Sequence, residues 1–243
     1  MLDNQNSDDL FCLENEECPP PRYEDTDIEI ITEYYYGRLH KYLLAARLYE
    51  LSVCAFDNFI HAWMSELPVD MKIINYGRAV LNAADGLTSS LKEKKTASDK
   101  AALDRRNEDA LAVLNAADKT RREIHRMYGL LRFMPDTRGV YTARFAPDHF
   151  ILPAMSAYFS ARFGEINWNI IDEKRGLLLN STDGKTRITP FNEKNAGNSD
   201  EWEQLWKHYH KTVNNESRKN TGLQKQLMPV RYWKYLNEVE AQD

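Results

Sequence analysis

Residues 130–145 read Leu130-Leu131-Arg132-Phe133-Met134-Pro135-Asp136-Thr137-Arg138-Gly139-Val140-Tyr141-Thr142-Ala143-Arg144-Phe145, and the pattern of the chain changes here. Before this stretch, apolar residues recur every three or four positions, the helical period. Inside it, two short apolar and aromatic runs flank Pro135-Asp136-Thr137-Arg138-Gly139, a run of turn formers. The spacing predicts a strand over 130–134, a turn over 135–139 and a second strand over 140–145. A helical half followed by strands gives an α+β fold class.

Upstream, three helical rows precede the switch. Ile28, Ile31, Tyr35, Leu39, Tyr42 and Leu43 form the first. Leu48, Leu51, Ala55, Phe59, Ala62 and Trp63 form the second, which stops before Pro68. Ile73, Ile74, Tyr76, Val80 and Leu81 form the third, ending near Gly86. Residues 87–107 are polar and read as a loop or a solvated helix. A long helix over 108–129 carries Leu111, Leu114, Ala117, Arg121, Ile124 and Tyr128 on one face, with Lys119, Arg122 and Arg126 toward the other.

Downstream, Ala146-Pro147-Asp148-His149 reads as a turn and 153–163 as a helix. Trp168–Asp172 and Leu177–Leu179 read as strands joined by Glu173-Lys174-Arg175-Gly176, and Asp183-Gly184 is a hairpin turn. A last helix is expected over 200–213, with Trp202, Trp206 and Tyr209. The expected architecture is a helical N-terminal half, then a small antiparallel β-β-α-β-β unit with C-terminal helices. Residues 1–25 are expected to be a flexible acidic lead-in ending in Pro19-Pro20-Pro21. A helical region over 26–107 and an α+β region over 108–243 follow, and 26–243 is expected to form one compact unit.

Composition narrows the class. The chain has 243 residues, 42% hydrophobic and 28% charged, with 13 Tyr, 9 Phe and 5 Trp. That supplies a sizeable core and excludes a mostly disordered chain. No apolar run is long enough for a transmembrane helix, and the acidic opening shows no secretory signal. Cys12, Cys18 and Cys54 have no zinc or iron–sulfur spacing and suit a reducing cytoplasm. The expected location is cytoplasmic, with no metal, no cofactor and no membrane.

The net charge of −5 conceals a split: residues 1–30 sum to −9 and the rest to +4. The positive charge gathers in two segments. Residues 119–144 hold Lys119, Arg121, Arg122, Arg126, Arg132, Arg138 and Arg144 against Glu123 and Asp136. Residues 205–235 hold Lys207, Lys211, Arg218, Lys219, Lys225, Arg231 and Lys234 against Glu216. Aromatics interleave both. Arginines that reach phosphates and aromatics that stack bases are what single-stranded or distorted nucleic acid needs. A solvated helix face with ordinary core aromatics is the plain alternative.

Asp148 beside His149 is a second candidate, an acid–base pair; the plain alternative is a helix cap and a packed imidazole. His125 lies on the basic helix at the edge of its apolar row. No Gly-rich phosphate loop, nucleophile elbow or His-Glu-x-x-His helix is present.

Several blocks in order then resemble a bacterial family of DNA metabolism proteins. Arg122-Glu123-Ile124-His125-Arg126-Met127-Tyr128-Gly129-Leu130-Leu131-Arg132-Phe133 resembles its EAHRMKGFLRF block. Pro147-Asp148-His149-Phe150-Ile151-Leu152-Pro153 resembles its PDHNVLPLL turn. Trp168-Asn169-Ile170-Ile171-Asp172 with Arg175-Gly176 resembles W-x-I-x-D-x-x-R-G. Leu205-Trp206-Lys207-His208-Tyr209, Arg218-Lys219-Asn220 and Gln226-Leu227-Met228-Pro229-Val230-Arg231-Tyr232-Trp233 resemble later blocks. The family's opening strand and helix have no counterpart here.

The resemblance implies a process, DNA repair or modification, and a DNA modification/repair radical SAM protein or a glycosylase-type domain as partner. It gives no reaction. The leading expectation is an accessory protein that binds DNA. Arg122, Arg126, Arg132, Arg218, Lys219 and Arg231 would contact phosphates, and Trp206 or Trp233 would stack a base. One alternative is an enzyme acting on DNA or nucleotides, with His149 and Asp148 as the acid–base pair and His125 beside them. The other is a protein–protein adaptor.

Overall fold

The computed structural model describes residues 39–85, 90–136, 139–191, 222, 225–226 and 228–236, with side chains from Leu44 onward. The expected lead-in, the expected helix over 200–213, and Trp206, Arg218 and Lys219 lie outside the described residues. The chain divides into two compact units between Arg122 and Glu123.

The first unit is helical: α1 (Leu39–Leu51), α2 (Val53–Met64), α3 (Asp70–Asp85), α4 (Leu91–Ala102) and the first part of α5 (Glu108–Leu130). The second apolar row of the sequence is cut in two by Ser52. Its backbone is extended (φ −153°, ψ 105°), and its hydroxyl accepts the Ala55 N–H at 3.0 Å to cap α2. The polar stretch after Gly86 holds a helix, α4, started by a capping box. Ser90 Oγ accepts the Glu93 N–H at 3.4 Å and Glu93 Oε2 accepts the Ser90 N–H at 3.1 Å. Asn107 Oδ1 caps α5 by accepting the N–H groups of Asp109 and Ala110.

Leu48, Phe56, Phe59, Ile60, Tyr76 and Val80 are at most 1% exposed and form the core of this unit. Fully burying each such side chain is worth about 1.5–3 kcal/mol. Gly77 permits the close approach of α3: a Cβ there would meet Phe59 at 3.3 Å.

Arg121 stands in the apolar row of α5 for a physical reason. Its guanidinium bonds to Asp57 on α2, to Asn58 Oδ1 at 2.5 Å and to Asp118 Oδ1 at 3.2 Å. His61 Nδ1 lies 3.1 Å from the other Asp57 oxygen. Burial alone would raise the Asp57 pKa, but His61 and Arg121 outweigh it and hold the carboxyl well below its usual range. The pair is partly buried, with Arg121 14% and Asp57 22% exposed, so breaking one side costs less than in a fully buried pair, where it costs about 3–5 kcal/mol.

The second unit contains the end of α5 and a five-stranded sheet in sequence order. The strands are β1 (Met134–Pro135), β2 (Tyr141–Phe145), β3 (Trp168–Asp172), β4 (Leu177–Thr182) and β5 (Lys185–Pro190). Helix α6 (Met155–Phe163) lies between β2 and β3 in the chain, and a 3₁₀ helix spans Val230–Tyr235. The α+β class holds, but the sheet is mixed: β2 and β3 are parallel, while the other three pairings are antiparallel. The antiparallel expectation is therefore corrected. Short turns make antiparallel neighbours, whereas α6 carries the chain back to start β3 at the same end as β2.

The strand expected over 130–134 shrinks to Met134–Pro135. Leu130 and Leu131 belong to the helical row of Ile124 and Met127 and are buried with it. The turn at Asp183-Gly184 is as expected, and it opens a fifth strand. Both residues have positive φ, 52° and 74°, the conformation of a two-residue type I′ hairpin. Phe145, Phe150, Leu152, Phe159, Trp168 and Ile170 are at most 2% exposed and form the core.

Candidate functional site

The Asp148-His149 turn leaves the sheet where the parallel strands end. Phe145 closes β2, Asp172 closes β3, and the two are register partners. The segments that follow, 146–149 and 173–176, therefore start side by side. The carboxyl ends of parallel strands are where side chains from several elements can meet a ligand.

Glu123 holds this turn from below. Its side chain is 4% exposed. Oε1 accepts the Asp148 N–H and Oε2 accepts the His149 N–H, each at 2.8 Å. The Tyr232 hydroxyl donates to Oε1 at 2.5 Å. A carboxylate buried on an amphipathic helix is tolerable because donors surround it. Arg231 Nη2 donates to the Tyr232 hydroxyl at 2.9 Å and stands 3.9 Å from Glu123 Oε1. Burial, with the Glu123 carboxylate beside it, holds the Tyr232 phenol above its usual pKa.

The carbonyls of the turn are held from the β3 side. Lys174 Nζ donates to the Asp148 carbonyl at 2.7 Å, and Arg175 Nη2 donates to the same oxygen at 3.1 Å. Arg175 Nη1 also bonds to Asp172 Oδ2 at 2.8 Å, both side chains being almost fully buried. Asp172 Oδ1 accepts the N–H groups of Lys174 and Arg175. Burial raises the Asp172 pKa against the pull of Arg175.

What this scaffold displays is Asp148, His149 and Arg231. Asp148 Oδ2 pairs with Arg231 Nη1 at 2.6 Å, and both side chains are 49% exposed. His149 is half-buried. Burial lowers its pKa, Glu123 and Asp148 pull it up, and Lys174 and Arg175 push it down, with a net lowering. The net lowering favours the neutral imidazole, the form in which histidine acts as a base.

The other expected site residues fall elsewhere. His125 is exposed, and it lies two positions from buried Glu123, which on a helix is the opposite side. It does not share the Glu123 face that meets the turn. Arg132 closes the end of α5, its Nη1 donating to the Gly129 carbonyl at 2.7 Å. Trp233 is 8% exposed, and its indole N–H donates to the Met228 carbonyl at 2.7 Å.

Lys119, Arg122 and Arg126 recur at helical spacing along α5, the first two exposed and the third half-buried. Among the described residues none of the three forms an ion pair. Of the other arginines of this stretch, Arg138 lies outside the described residues, while Arg121 bonds to Asp57, Arg132 to Gly129 and Arg144 to Glu173.

Glu123, Tyr232, Asp172 and Arg175 are absent from the expected site residues. Glu123 left one trace in the sequence, a lone acid among the cations from Lys119 to Arg126. Asp172 and Arg175 left another, an opposite-charge pair three apart at a strand end. Tyr232 left none.

Among the described residues no group of three or more histidine, cysteine, aspartate or glutamate side chains is placed to hold a metal ion. No helix among them is long and apolar enough to cross a membrane. No curated protein and no solved structure matches the chain. A family model described as a domain of unknown function, DUF4130, matches residues 82–238, more than half of the chain and all of the site just described, and the chain belongs to that family.

Proposed function

We propose that this chain is an accessory protein of DNA repair or modification that holds the nucleic-acid backbone through α5 and acts beside a partner enzyme of radical SAM or glycosylase type. The observation that carries the reading is the row Lys119, Arg122 and Arg126, cations on a helix surface without carboxylate partners among the described residues. Such cations reach phosphates at little desolvation cost, and each phosphate they neutralise releases condensed counterions. The nature of the partner rests on the sequence resemblance alone. Arg132 and Trp233 are dropped from the proposed DNA contacts because both have structural duties.

The test is affinity for single-stranded and duplex DNA at low salt, comparing wild type with Arg122→Glu plus Arg126→Glu. Reversing two contacting charges is expected to weaken binding at least about tenfold on either DNA. Equal affinities would remove α5 from the reading.

A second reading, an enzyme acting on DNA or nucleotides, is favoured by one observation. His149, whose burial favours the neutral imidazole, lies beside half-exposed Asp148 at the carboxyl ends of the only parallel strand pair among the described residues. A pair so placed can take a proton from a bound nucleophile and return one to a leaving group. His149→Ala abolishing turnover of a DNA or nucleotide substrate, with DNA affinity retained, would establish it. Turnover that survives the substitution would remove it.

A further inference from the structure

We propose that Glu123 is a positioning residue: from a buried place on α5 it holds the consecutive backbone N–H groups of Asp148 and His149, and so fixes the direction in which their side chains face a ligand. The inference rests on the second reading, in which that pair exchanges protons.

The geometry is more specific than a turn needs. One carboxylate oxygen serves each N–H, both at 2.8 Å, so the turn cannot rotate without breaking one bond. The Asp148 carbonyl is fixed from the opposite side by Lys174 and Arg175. With donors and acceptor both occupied, turning the backbone between the two side chains would break at least one of these bonds.

Glu123 does a second thing that a neutral acceptor would not. It places a negative charge near the imidazole. Among the described residues, the charged groups that act on His149 are Glu123 from α5, Asp148 in its own turn, and Lys174 and Arg175 after β3. Glu123 and Asp148 favour the protonated imidazole, while burial and the two cations oppose it. Glu123 thus sets both the orientation of the base and part of its proton affinity.

Tyr232 makes this hold depend on the C-terminal segment. Its hydroxyl donates to the same Oε1 that receives the Asp148 N–H. A donor there draws negative charge away from the carboxylate and weakens its field at His149.

The experiment follows the His149 imidazole by NMR in the full chain with labelled histidine, together with hydrogen exchange at the Asp148 and His149 amides. Glu123→Gln keeps the shape, removes the charge and turns one acceptor into a donor. The His149 midpoint is expected to move further down, and at least one amide to exchange about tenfold faster, as for a lost bond to a charged acceptor. Tyr232→Phe keeps the charge and strengthens its field, so the midpoint is expected to move up. It also decides the matter should Glu123→Gln fail to fold.

A His149 midpoint that stays where it is in Glu123→Gln, with both amides exchanging as in wild type, would overturn the proposal, because it would show a turn and an imidazole that do not depend on Glu123. An unmoved midpoint in Tyr232→Phe would overturn it as well. Neither readout needs turnover, so absence of enzymatic activity would count against the second reading without touching this one.

Discussion

The side chains of Glu123 and Tyr232 are 109 residues apart in the chain and meet in a 2.5 Å hydrogen bond at the buried base of the Asp148-His149 turn. Tyr232 is itself 2% exposed. A buried hydrogen bond to a charged group contributes about 1.5–3 kcal/mol. Tyr232→Phe is therefore expected to lower unfolding stability by that amount, read as a lower urea midpoint with an unchanged slope. A loss below about 0.5 kcal/mol would mean that water replaces the phenol freely.

Asp57 gives a pH dependence whose sign is fixed. His61 and Arg121 hold its folded-state pKa below the ordinary carboxylate value of about 4. Its contribution is therefore complete above that value and is lost as pH falls through the folded-state pKa. Asp57→Asn is expected to cost up to about 3 kcal/mol at pH 7, the pair being partly buried, with the gap from wild type closing as pH drops below about 4. Urea unfolding at pH 7 and at pH 3 checks this. A gap that stays constant would show that the charge of Asp57 contributes nothing.

The β4–β5 hairpin tests the turn chemistry. Gly184 has φ 74°, a left-handed conformation that costs a residue with a Cβ about 1–2 kcal/mol. Gly184→Ala should destabilise by that amount, although a Cβ there would meet nothing within 4 Å. Asp183→Asn should be close to neutral, because asparagine tolerates the same region. Thermal unfolding of the two variants separates backbone strain from crowding.

Much of the fold was legible because it is local. The α5 row, the Asp183-Gly184 turn and the strand at Trp168–Asp172 each follow from neighbours within a few residues. The break at Ser52 was missed because apolar residues keep their spacing across it. The run Leu130-Leu131 was misread because two leucines and a phenylalanine satisfy both periods, and the capping by Arg132 decides for the helix. Parallel pairing of β2 with β3 was not legible, since it depends on where a crossover helix returns the chain.

The candidate site was half legible. Asp148 and His149 announce themselves as adjacent titratable groups, yet the residues that organise them come from three other places in the chain. Glu123 resembles any acid on a charged helix until its burial is known. Tyr232 and Arg231 enter only through a 3₁₀ segment docked far from the turn in sequence. Trp233 looked like a stacking surface because sequence does not distinguish a buried indole from an exposed one.

The most direct measurement of the central claim is the salt dependence of DNA affinity for wild type and for Arg122→Ala plus Arg126→Ala. Each phosphate contact contributes about 0.7–0.9 to the slope of log affinity against log salt. The expected result is a steep wild-type slope that becomes shallower by about 1.4–1.8 when both arginines are removed. A wild-type affinity that does not change with salt, or a slope that is the same in both proteins, would contradict DNA binding through α5.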